Sequence, residues 1–292
     1  VYLSLAEGQQ ALDALRQALV LARRAHDVRT ECTALVNLGS AYVTLGDTAE
    51  GLRHLEPAMK LARSIDFRGA EAYTLLWLGI AASLDGEPAR SRELLEQAVA
   101  IQRAIKDVRG EASALRQLAT VQLALALPAE AQQSVARSVE ISPPASGLIY
   151  TGALTLADVH AALGDASRAE AQYKEALARF RQIRARHAEV LGLTRYARFL
   201  AGRNRLEEAR QLLEEGLGAH ESLRGLIVDP DLRMSHTSTL LGPYRLNVDV
   251  LMALDARSPG EGFAEAAFHT NERARARGLL DLLVTAGIDI RE

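Results

Sequence analysis

Shifted by 40 residues, this sequence falls on itself, and few features narrow a fold more than a period of that length. LVLAR at 19–23 lands on MKLAR at 59–63. Glu31, Glu71 and Glu111 coincide, as do Ala18, Ala58 and Ala98, Leu38, Leu78 and Leu118, Tyr2 and Tyr42, and Pro88 and Pro128. At 292 residues the chain is near the size at which one core stops growing. A recurring unit escapes that limit, because each unit buries its apolar face against its neighbours alone.

Each unit reads as two helices. In the stretch 31–46, Leu35, Leu38, Ala41, Tyr42 and Leu45 recur at helical spacing and form one apolar stripe. Gly46-Asp47 ends it, since Gly accepts a left-handed backbone and Asp caps the helix that follows. The second helix spans 49–65, with Leu52, Leu55, Ala58, Met59 and Ala62 on one face. Gly39, Ala41 and Ala58 are small enough to let the two helices approach closely. Pro88 and Pro128 stand where a second helix should begin, a position that tolerates proline. Pro57 falls inside a helix, where it should remove a hydrogen bond and bend the axis. The pattern resumes over 159–180, after the loop at 142–147, and again over 199–217. The expectation is an all-α, α-α superhelix of about five helix pairs, preceded by the end of a truncated one.

Composition agrees and narrows the function classes. Apolar residues make up 48% of the chain but aromatics only 4%; Ala and Leu supply the difference, as in packed helices. No β-branched run alternates, so strands are not expected. The formal charge of −3, with acids and bases interspersed, gives no electrostatic case for nucleic acid or an anionic membrane. No apolar run approaches the ~20 residues that span a bilayer, and the N-terminus has no signal-like segment, so a cytoplasmic setting is the default. The chain starts at Val1 within the repeat pattern, which reads as part of a longer protein.

The chemistry-bearing residues are sparse. Cys32 is the single cysteine, so neither a disulfide nor a cysteine metal cluster is available within the chain. It opens a repeat helix beside Glu31 with no histidine fixed near it, the setting of a small packing residue. The seven histidines are scattered without the i, i+4 spacing of a helical metal site, and no phosphate-binding glycine motif occurs. Glu207-Glu208 and Glu214-Glu215 lie on amphipathic helices as solvated charges. No catalytic residue, metal site or cofactor is expected.

These residues resemble the tetratricopeptide repeat: Leu-Gly in the middle of the first helix, a small or aromatic residue three positions on, then Leu-Gly-Asp, then an alanine-rich second helix. The resemblance covers roughly residues 2–222. Its 40-residue period and charged links (Arg68-Gly69-Ala70-Glu71; Arg109-Gly110-Glu111-Ala112) are similar to the longer-helix variety of kinesin light chains. Ala119 and Ala157 depart from the pattern, replacing the glycine of Gly39 and Gly79. The C-terminal part, 223–292, opens with a cap and first-turn proline at Asp229-Pro230, continues as a long helix, turns at Ser258-Pro259-Gly260 and ends in a helix from about 262 to 285. The run 271–283 resembles the segment that joins tetratricopeptide arrays to CHAT domains, caspase-like cysteine protease domains of bacterial multidomain proteins. Gly242-Pro243 departs from that likeness and should kink or break the helix.

The resemblance implies a protein-interaction scaffold or sensor, with a protein or peptide in a concave groove and an effector domain beyond Glu292. In such stacks the first helices line the groove. That places Thr33, Asn37, Ser40 and Thr44 there from one unit, Tyr73, Trp77, Ile80 and Leu84 from the next, and Ser113, Gln117, Thr120 and Ala124 from the third, with Arg116 at the edge. Trp77, the only tryptophan, is either an interface anchor or filling for a tight superhelix. A clamp for a peptide C-terminus would need lysines beside Asn37, and none is placed there. In the coupling segment, Glu272 can pair with Arg275 and Arg277 with Asp281, while Arg273 shares a side with Arg277. Ion pairing against the array or a neighbouring domain fits this run better than nucleic-acid binding, because no aromatic is interleaved. The alternatives are the sensor region of a bacterial signalling ATPase or transcription regulator and, remotely, an enzyme with an unrecognised site.

Overall fold

The computed structural model describes residues 5–142, 147–224 and 230–285, with the side chains of 11–142, 151–186, 188–219 and 242–276. Thirteen helices and no strand occur among them. A lone helix α1 (Leu5–Arg24) precedes the pairs α2 (Val28–Thr44) with α3 (Thr48–Ser64), α4 (Arg68–Leu84) with α5 (Pro88–Ala104), and α6 (Val108–Ala124) with α7 (Pro128–Ile141). There follow α8 (Gly147–Ala162), α9 (Ala166–Gln182), α10 (Arg186–Gly202), α11 (Leu206–Arg224), α12 (Pro230–Asp255) and α13 (Phe263–Thr285). The expected all-α repeat is what the chain forms. It divides into two compact units, one of Gln9–Gln172 and one of Tyr173–Glu292 with Val1–Gly8.

Local chemistry sets where each helix stops. The turns inside a pair carry a left-handed residue at Gly46, Gly86 and Gly164, but also at Ala126 and Asn204. The links between pairs use His26, Asp66, Lys106 and Arg184 in the same conformation. Around each, crossed backbone bonds close the helix end: Gly46 N–H donates to Val43 and Asp47 N–H to Tyr42, at 3.1 and 3.0 Å. Asp27, Asp47 and Asp107 then cap the following helix by accepting from the backbone N–H of Thr30, Glu50 and Gly110. Pro88 and Pro128 open α5 and α7, as their positions require.

Within the Gln9–Gln172 unit, α2, α4 and α6 pack on their partners α3, α5 and α7, and α2, α4, α6 and α8 also touch in succession. The second helices α3 and α5 make no such contact with one another. The first helices therefore form a continuous layer. Its closest approaches fall at a glycine. A Cβ added to Gly39 would stand 2.5 Å from Leu55 Cγ, and one on Gly79 2.8 Å from Leu95 Cγ. The third pair has Ala119, and the opposing residue there is Val135 rather than Leu; both are fully buried in one cluster. The apparent lapse from the repeat pattern is a compensated exchange of volume.

A second contact recurs at four of the links between pairs. Arg23, Arg63, Arg103 and Arg181, in the last turns of α1, α3, α5 and α9, donate from Nε to Glu31, Glu71, Glu111 and Glu189, in the first turns of α2, α4, α6 and α10, at 2.8–3.0 Å. Glu71, Glu111 and Glu189 are buried while the arginines stay about half exposed. Each carboxylate thus takes a charged donor across the link and lies in the first turn, where negative charge is favoured.

In the Tyr173–Glu292 unit, aromatics take over the contact between α9 and α10: the Tyr173 ring lies 5.4 Å from that of Tyr196, and Phe199 packs beside both. α10 packs on α11 and α12 on α13. Tyr244, Val250, Leu251 and Leu254 of α12 are buried, with Ala267 of α13.

Pro57 lies inside α3, as expected, on an exposed position, and the helix runs on through it although the Arg53 carbonyl loses its helical donor there. α12 likewise continues through Gly242-Pro243, with open space around Gly242.

Gly79→Ala should lower stability by about 1–3 kcal/mol, and adding Leu95→Val should restore much of the loss, since the third pair already uses Ala with Val. Chemical denaturation of the two variants measures this; no recovery in the double variant would refute the compensation. Arg103→Ala should cost about 1–2 kcal/mol by the same measurement, because it leaves the buried Glu111 carboxylate without its charged partner, discounted for the exposure of the arginine.

Candidate protein-binding face

The layer formed by α2, α4 and α6 presents one column of side chains from each helix. From α2 come Thr33, Asn37, Ser40 and Thr44; all but the half-buried Ser40 are exposed. Three of their hydroxyls donate back into their own helix: Thr33 to Arg29 O, Ser40 to Asn37 O and Thr44 to Ser40 O. Their methyl and methylene groups, and the Asn37 amide, remain outward. Of the positions expected to face inward, Leu35 and Leu38 are buried, whereas Tyr42 and Leu45 are only partly so. The Tyr42 hydroxyl accepts from Arg16 at 2.6 Å, which ties α1 to this pair.

From α4 come Tyr73, Trp77, Ile80 and Leu84. Tyr73 and Leu84 are exposed. Trp77 and Ile80 are half-buried, packed against Val43, Leu55 and Ala81. Trp77 therefore has an inner edge in the core and an outer one on the face. Burial pushes the Tyr73 hydroxyl above its ordinary range; the charge and hydrogen bond of Asp107 add to this and Arg109 opposes it. From α6, Thr120 and Ala124 are exposed, and Ser113, Arg116 and Gln117 half-buried. None of these columns carries a carboxylate.

Sequence reasoning missed the N-terminal end of the same face. The Arg29 guanidinium lies over the Phe67 ring, 4.2 Å from its centroid. The signal was available in the repeat register. Positions 29, 69 and 109 read Arg, Gly, Arg, and positions 27, 67 and 107 read Asp, Phe, Asp.

Elsewhere, Glu272 and Arg275 of α13 form the expected ion pair at 3.7 Å, on an exposed surface. Arg273 is exposed; the side chains of Arg277 and Asp281 lie outside the described ones. Cys32 is fully buried at the position of Ala72 and Ala112. Its thiol donates to Ala58 O at 3.6 Å. Burial raises its pKa, and Glu31 raises it further, the opposite of what a nucleophile requires. Among the described residues no group of three or more His, Cys, Asp or Glu side chains could hold a metal, and no helix is long and apolar enough to cross a membrane.

Comparison with known proteins agrees with this architecture. The tetratricopeptide repeat family matches residues 30–104. Among solved structures, the apo form of RapI is similar over 91% of this chain and 98% of its own, at 10% identity and a TM-score of 0.62. BtubC from P. vanneervenii is similar over 76% of this chain and 91% of its own, at 14% identity and a TM-score of 0.54. A signal transduction ATPase with numerous domains and a tetratricopeptide repeat sensor, from Pyrococcus horikoshii, is similar over 88% of this chain and 37% of its own, at 15% identity and a TM-score of 0.52. No curated protein matches the sequence. The chain is an all-α helical solenoid, of which residues 30–104 match the tetratricopeptide repeat.

The burial and raised pKa of Cys32 give a direct test. In the native protein the thiol should resist a soluble disulfide reagent at neutral pH and react at once in denaturant. Prompt labelling of folded protein would show that the site opens.

Proposed function

We propose that this array is a protein-interaction scaffold or sensor that holds a protein or peptide partner against the α2–α4–α6 face, and that it belongs to a larger bacterial protein in which a CHAT-type caspase-like protease domain follows Glu292. The observation that carries the first part is the face itself. It is a layer of first helices with Tyr73, Trp77 and Ile80 at its middle, apolar side chains of the kind that anchor interfaces. The second part rests on the sequence likeness of 271–283 to the segment that precedes CHAT domains, with Glu272, Arg273, Arg275 and Arg277 as its charged contacts. A second reading, the sensor region of a signalling ATPase or transcription regulator, draws on the likeness to the Pyrococcus horikoshii ATPase, which carries a tetratricopeptide repeat sensor.

The coding sequence beyond Glu292 separates the two. A caspase-like His and Cys pair supports the protease, and a nucleotide-binding or helix-turn-helix domain overturns it. For the face, Trp77→Ala should weaken partner binding tenfold or more while circular dichroism stays unchanged. Lost helicity in that variant would instead assign the indole to packing alone.

A further inference from the structure

We draw no further inference here: the strongest candidate, the apolar stripe of Leu15, Ala18 and Leu21 on α1, in which Leu15 stands in the register of the Leu55 and Leu95 that meet Gly39 and Gly79, is a helix face left partly uncovered among the described residues, and nothing in the structure shows what covers it.

Discussion

The array depends on how closely the two helices of a pair can come together. Gly39 against Leu55 and Gly79 against Leu95 leave no room for even one methyl group, and in the third pair a larger Ala119 is met by a smaller Val135. Packing at the density of a crystal fixes a spacing with little tolerance. From that spacing follows the tight turn, and with it the need for a left-handed residue at Gly46, Gly86 and Ala126. The same spacing lets the first helices reach one another and form the layer on which the binding face stands.

Stacking one pair on the next adds a second device to the apolar contact between pairs. The Arg and Glu clasp at four of the links supplies direction. A guanidinium from the last turn of one pair meets a carboxylate buried in the first turn of the next. A buried carboxylate must be paired, so the link is specified by chemistry as well as by shape. That the clasp recurs at Arg181 and Glu189, where the spacing of the repeat has changed, shows that it follows the link and not the 40-residue count.

Much of this was legible in the sequence. Gly46-Asp47 announced a helix end and a cap, and Pro88 and Pro128 announced helix starts, because each acts through its own backbone. The coincidence of Glu31, Glu71 and Glu111 was visible, but its partner was not: the arginine lies eight residues earlier, across a turn whose path only the fold defines. His26 and Asp66 are of types that accept a left-handed backbone more readily than most, but Lys106 gave no sign of it; at all three the backbone bonds that close the helix end require it. Pro57 was legible as a helix-interior proline. Its cost depends on the surroundings of the orphaned carbonyl, and that is a property of the assembled surface.

By itself the sequence determined that the chain is helical, that its helices come in pairs, and which stripe of each helix turns inward, because periodicity and end signals act over a few residues. The tertiary structure decided what those pairs present outward. It set Trp77 half in the core and half on the face, made Ala119 acceptable by placing Val135 opposite, and brought Arg29 onto Phe67. Those relations join residues 16 positions apart within a pair, as Ala119 and Val135 are, or 38 apart between pairs, as Arg29 and Phe67 are, and they arise only when the helices are packed.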